Sequence, residues 1–177
     1  MPVRLVDDPN LYLNDWMRLY QILVGWHHLR GIKAFSKNAF AGQFEVPGLV
    51  AFRATRNGKT IGMHLWYLES GIAYTHLGAS DQEGYSLGAA YALYWSAIQV
   101  FKQDHARELQ LIDLGAGAGA EENGRDGLST FKRGWATGEK VKYFCGSILD
   151  QKSYESLTAT NRIWTDYFPL YRAGELS

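Results

Sequence analysis

Two glycine-ended dipeptides, Asn57-Gly58 and Ser70-Gly71, constrain this chain more than any other feature. They separate runs 49–55, 60–68 and 72–79, which are rich in β-branched and aromatic residues. An Asn-Gly pair supplies the left-handed backbone of a tight hairpin turn, so the three runs predict an antiparallel meander with short loops. Register across the second turn stays open. A three-residue turn Glu69-Ser70-Gly71 would place His64 opposite His76 on one face. A two-residue turn pairs His76 with Leu65 instead.

Helical patterns flank the meander. Asp7-Asp8-Pro9-Asn10 reads as a helix start, and Trp16, Leu19, Tyr20, Leu23, Val24 and Trp26 recur at helical spacing before Gly31. Ser36 caps a second helix through Phe44, ended by Pro47-Gly48. After the meander, a glycine-bearing loop at 84–88 opens a helix over 89–102 with Leu93, Ala97, Ile98 and Phe101 on one face. Then follow a buried strand at 109–114, a glycine-alanine loop at 115–119, a short helix at 128–135, a strand at 140–149 and a last helix at 153–167. This order predicts an α+β chain. A single domain is expected over 1–177, with N-terminal helices at 1–47, a sheet core at 48–150 and a helical tail at 151–177.

Composition narrows the classes. The chain has 177 residues, with 18 Lys+Arg against 18 Asp+Glu, so its formal net charge is zero. That disfavours a binder of phosphate backbones, whose affinity rests on cations. The 8 Phe, 6 Trp and 11 Tyr suffice for one core and a lined cleft. The single cysteine, Cys145, excludes an internal disulfide and a multi-cysteine zinc site; on an apolar strand it reads as a small buried hydrophobe. His27 and His28 are adjacent, so on a helix they point ~100° apart and do not chelate together; no metal is expected. The N-terminus lacks a signal-peptide core and no apolar run spans a membrane, so the expected location is the cytoplasm.

Two glycine loops compete as cofactor sites. Ile112-Asp113-Leu114-Gly115-Ala116-Gly117-Ala118-Gly119 resembles the first motif of S-adenosylmethionine methyltransferases, but too few residues follow for the rest of a doubly wound sheet. Tyr85-Ser86-Leu87-Gly88-Ala89-Ala90 follows a strand and opens the longest clean helix. It resembles the acyl-CoA pyrophosphate loop of the GNAT N-acyltransferase superfamily, with Tyr85 where that family usually carries Arg or Gln. Successive backbone N–H groups at a helix N-terminus bind phosphate without any particular side chain.

Further segments extend the likeness. Tyr74-Thr75-His76-Leu77-Gly78-Ala79, Asp113-Leu114-Gly115-Ala116-Gly117, Gly127-Leu128-Ser129-Thr130-Phe131-Lys132-Arg133-Gly134-Trp135 and Tyr143-Phe144-Cys145-Gly146 together resemble the Fem-type branch, which includes peptidoglycan bridge enzymes. The resemblance implies a GNAT fold, a mixed and mostly antiparallel central sheet flanked by helices. It implies transfer of an acyl group, expected to be acetyl, from acyl-CoA to a primary amine by direct attack. The acceptor would be a small molecule or cell-envelope precursor, and a homodimer is compatible. Alternatives are an aminoacyl-tRNA donor, which alone would bring in a nucleic acid, and a catalytically silent GNAT-like binding module.

The same resemblance assigns the residues. In that family the strand before the donor loop splays from the next one and the thioester sits between them, so His76, on the matching strand, is the general-base candidate. Asp113 would orient a histidine or bind the acceptor ammonium. Lys132 would reach a donor phosphate or developing negative charge. His64, Arg133 and Tyr143 are substrate-side candidates, and Tyr85 and Tyr143 are candidate acids for the leaving thiolate.

Overall fold

The computed structural model describes residues 1–104, 109–115, 127–143, 145–159 and 167–173. The chain divides into two compact units, Met1–Gly115 and Ala116–Ser177.

The first unit is built on a five-stranded sheet in the order β1 (Val3–Leu5), β2 (Leu49–Arg56), β3 (Lys59–Glu69), β4 (Ile72–Ser80) and β5 (Leu111–Asp113). Every neighbouring pair is antiparallel except β4 and β5, which run parallel. The helices are α1 (Leu13–Trp26), α2 (Lys37–Phe44), α3 (Gln82–Ser86) and α4 (Ala89–Asp104). The α+β class and the meander follow the sequence patterns. Both meander turns have left-handed central residues, with φ +50° and +77° at Asn57 and Gly58 and +48° and +76° at Ser70 and Gly71. That is the geometry a two-residue hairpin turn demands.

The β3–β4 register departs from both expectations. The two-residue turn pairs Glu69 with Ile72 and holds that register as far as Trp66 opposite Thr75; the next pair is Leu65 opposite Leu77. His76 is therefore an extra residue, a β-bulge. His64 faces Gly78 and not His76.

β3 is buried on both faces over residues 60–66. On one face Met63 and Leu65 join Trp16, Leu19, Tyr20, Phe40 and Phe44 of α1 and α2. On the other, Trp66 meets Phe101 of α4 at 5.2 Å between ring centroids, and Phe52 of β2 meets it at 5.7 Å. Each such side chain contributes ~1.5–3 kcal/mol on burial. Gly62 lets α4 approach: a Cβ there would lie 3.2 Å from the Ala89 Cβ and 3.3 Å from a Leu93 methyl.

The segment expected as a glycine loop at 84–88 is instead mostly the short helix α3. Asp81 caps it, accepting from the Gly84 N–H at 3.0 Å. Gly84 is required there, because a Cβ would fall 2.1 Å from the Ile61 carbonyl oxygen. Asp81 also receives Arg18 of α1 at 3.3 Å and Lys59 of β3 at 3.1 Å, fastening the end of β4 to the elements around it.

In the second unit, α5 (Gly127–Arg133) and α6 (Gln151–Thr158) are the regular helices among the described residues. Asp150 caps α6 through the Ser153 N–H at 3.0 Å. The strand expected at 140–149 does not form among the described residues. Its alternating apolar side chains gain no buried face, and Leu149 is 96% exposed. Cys145 is likewise exposed, against the expected burial. The last helix ends at Thr158, with 160–166 outside the described residues. No helix among the described residues is long and apolar enough to cross a membrane.

Candidate functional site

The site is built by the parting of two strands. β4 and β5 pair over three positions only, ending at Tyr74 opposite Asp113. Two residues later His76 bulges from β4. Beyond it, the Asp81 N–H donates to the Ile61 carbonyl at 3.0 Å, so residues 61 and 81 form a hydrogen-bonded pair. Antiparallel pairs alternate, which makes Ser80 and Gly78 non-bonded positions toward β3. The N–H and carbonyl of Gly78 are thus directed away from β3, to the edge that β5 has left.

The bulge turns His76 and Leu77 to the same face. Leu77 lies against the α1–α2 core, and His76 places Nε2 2.8 Å from the Gln43 Oε1 of α2. The Tyr67 ring meets the imidazole edge-on at 5.2 Å, while its hydroxyl donates to the Gln43 carbonyl at 2.8 Å. Burial pushes the His76 pKa below its ordinary value.

His64 lies on the opposite face, buried beneath α4. Its Nε2 is 2.7 Å from the Thr75 Oγ1, and its ring lies 4.6 Å from Trp66 and 4.5 Å from Tyr94. Tyr94 shares the Thr75 hydroxyl, and burial raises its pKa. The facing pair of histidines expected from a three-residue turn is thus replaced by two histidines on opposite sides of the sheet. Asp113 ends β5, where its Oδ1 accepts from the Gly115 N–H at 2.8 Å.

The expected donor loop is distributed over two helices. Tyr85 and Ser86 end α3, Leu87 and Gly88 form the link, and Ala89 and Ala90 begin the 16-residue α4. The Leu87 and Gly88 amides are committed to the Glu83 and Tyr85 carbonyls, each at 3.1 Å. The first turn of α4 follows, with Ala89 fully buried and Ala90 exposed. Gly88 adopts φ +67°, and the nearest atom to a Cβ there would be a Tyr91 ring carbon at 3.7 Å. Tyr85 is 74% exposed and stands edge-on to Trp26 at 6.0 Å.

Lys132, Arg133 and Tyr143 belong to the second unit. The two cations occupy the last turn of α5, with Phe131 and Trp135 in ring contact at 6.2 Å around them. Tyr143 is 83% exposed. Among the described residues, no group of three or more His, Cys, Asp or Glu could hold a metal ion.

Gln43, Tyr67, Thr75 and Tyr94 were not among the sequence candidates. Nothing in the pattern separates Gln43 from any polar residue of a surface helix. Thr75 was within reach, since it adjoins the histidine already singled out.

A family model described as "Acetyltransferase (GNAT) domain" matches residues 10–133. No curated protein matches the chain. Similar solved structures include an aminoglycoside acetyltransferase from an uncultured soil metagenomic sample, in complex with sisomicin; it is 14% identical with a TM-score of 0.60, over 83% of this chain and 95% of that one. A possible acetyltransferase from Clostridium difficile 630 is 10% identical with a TM-score of 0.63, over 84% and 98%. The ribosomal-protein-alanine N-acetyltransferase of Brucella melitensis biovar Abortus 2308 is 12% identical with a TM-score of 0.56, over 83% and 98%. At these identities the likeness is one of fold.

Proposed function

The chain belongs to the GNAT acetyltransferase family, and we propose that it transfers an acetyl group from acetyl-CoA to a primary amine by direct attack. The observation that carries this reading is the opened edge of β4, where a bulged histidine and the outward amide of Gly78 lie on one strand. Acetyl-CoA, when bound, supplies an activated acyl thioester.

In this reading the Gly78 N–H donates to the oxygen that becomes negative as the amine adds. His76 takes the proton that the amine must lose, and Tyr85 or Tyr143 gives one to the sulfur as the carbon–sulfur bond breaks. Asp113 orients the incoming ammonium group. Tyr85, Ser86, Leu87, Gly88, Ala89 and Ala90 form the donor turn, with the amide of the exposed Ala90 as a phosphate donor. Lys132 is assigned to a donor phosphate, and Arg133 and Tyr143 to the substrate side. These last assignments rest on the resemblance of Phe131-Lys132-Arg133-Gly134-Trp135 to the Fem-type branch, and the placement of the chain in that branch as a single-domain member is part of the proposal.

The acceptor we favour is a small-molecule amine such as an amino sugar. The sisomicin-bound aminoglycoside acetyltransferase supports that class by fold.

The test is acetyl-CoA-dependent thermal stabilisation, followed by thiol release across a panel of amines. Stabilisation with thiol release supports the reading. Stabilisation without release for any amine points to a silent binding module, and no stabilisation removes the donor assignment.

A further inference from the structure

One residue of α2 fixes the chemistry of the bulge. Gln43 uses both of its oxygens there: its main-chain carbonyl accepts the Tyr67 hydroxyl at 2.8 Å, and its side-chain Oε1 lies 2.8 Å from the His76 Nε2. An amide oxygen carries lone pairs and no proton, so the hydrogen in this second bond belongs to the imidazole. A neutral imidazole has a single N–H. With that hydrogen on Nε2, the free lone pair is on Nδ1.

We infer that Gln43 is a positioning residue that holds His76 as its Nε2–H tautomer, making Nδ1 the proton-accepting nitrogen. The inference rests on the reading of His76 as the general base. As the extra residue of a bulge, His76 has no cross-strand partner to fix its direction. Gln43 and the edge-on Tyr67 ring supply that restraint, and Tyr67 is tied to the same glutamine. One residue thus locks α2, β3 and β4 together at the imidazole.

The choice of an amide matters. A carboxylate at this position would orient the ring equally well but would also favour the imidazolium, which cannot accept a proton. The ionisable groups on the surrounding elements have other engagements. From α1, Arg18 pairs with Asp81, Asp15 accepts from Thr60, and Tyr20 donates to the Lys33 carbonyl. From α2, Lys37 bonds Asn14. On β4, Tyr74 stands in register with Asp113 of β5, and Asp113 accepts from Gly115. Burial further disfavours the charged ring.

The test is the ring 15N spectrum of His76 in the full chain, read without substrate in mildly alkaline buffer. The expected result is a dominant Nε2–H form; a dominant Nδ1–H form overturns the inference. In Gln43→Leu the two tautomers should mix, and kcat should fall ~10-fold, the factor of one neutral hydrogen bond, with the acetyl-CoA KM little changed. An unchanged spectrum and kcat in this variant also overturn it. Gln43→Glu keeps an acceptor and leaves the Tyr67 bond intact. It should retain the Nε2–H form and move the His76 titration midpoint upward; loss of that form overturns the inference. A folded His76→Ala protein with wild-type turnover overturns the catalytic half, while the spectrum decides the tautomeric half by itself.

Discussion

His64 stands directly across the β3–β4 ladder from Gly78, so near that a Cβ on Gly78 would lie 3.4 Å from the imidazole Cδ2. The pair occupies a non-bonded position of the ladder, so the Gly78 amide is free of β3. Gly78→Pro removes that N–H without breaking a β3–β4 hydrogen bond. Turnover should fall ~100-fold or more, the scale of a lost oxyanion donor, with the far-ultraviolet circular dichroism unchanged. Wild-type turnover in a folded Gly78→Pro protein would take the amide out of the reaction.

Gly88 is held at φ +67° at the head of α4. Every side chain that avoids the left-handed region is strained there by ~1–2 kcal/mol. Gly88→Trp should both lower the melting temperature and abolish acetyl-CoA binding. Gly88→Asn, which tolerates this backbone, should keep most of the stability and separate the two effects. Calorimetric titration with acetyl-CoA distinguishes them, and full affinity in Gly88→Trp would dismiss the donor turn.

Burial lowers the His76 pKa relative to its ordinary value of 6.5. As a base, His76 should then keep the acid limb of kcat/KM below the usual histidine range. The stability consequence has a definite sign. The unfolded chain binds the proton more readily, so stability falls as pH drops below ~6.5 and continues to fall toward the depressed folded value. In His76→Gln the melting temperature should lose that part of its slope between neutral and mildly acidic pH.

Asp81 adds a loss of the same sign at lower pH, for a different reason. Burial resists its ionisation, but the Gly84 N–H, Lys59 and Arg18 outweigh burial and lower its pKa from 3.8. Its contribution is present above ~3.8 and is lost as pH falls through the depressed value. Asp81→Ala removes a helix cap and two ion pairs whose cations are partly solvated, so it should cost about 2 kcal/mol in urea titration at neutral pH. A change below ~0.5 kcal/mol would show that α3 needs no cap.

Lys132→Ala should reduce turnover or donor affinity ~10-fold, the scale of one charge-assisted hydrogen bond, with little change in melting temperature. Arg133→Ala should do less, since adjacent helical residues diverge. Steady-state kinetics that match the wild type for both variants would leave the pair as ordinary surface charge.

The legible parts of the fold were those written in local chemistry. Asn57-Gly58 and Ser70-Gly71 carried the meander, and Ser36 carried the start of α2, where its hydroxyl accepts from the Ala39 N–H at 3.1 Å. Asp81 offered a cap of the same kind for α3, but the glycine at 84 read as a loop former when its real role was close approach to Ile61. The bulge left no trace, because Thr75-His76-Leu77 has the composition of any strand and the turn fixes register only up to Trp66. Gln43 joined the site through tertiary contacts alone. The 140–149 segment shows the reverse error: strand-like alternation does not make a strand without a partner to complete its ladder.

The bulge also has a consequence in counting. Thr75 faces α4, His76 and Leu77 face the α1–α2 core, and Ala79 returns to that core after Gly78 has turned the other way. Strike His76 from the chain and strict alternation is restored, with Leu77, Gly78 and Ala79 each keeping its side. The residue that breaks the parity of β4 is thus an insertion into a strand already complete as architecture. The sheet could close over an unbroken β4, and the one surplus position is where the chain departs from mere scaffold.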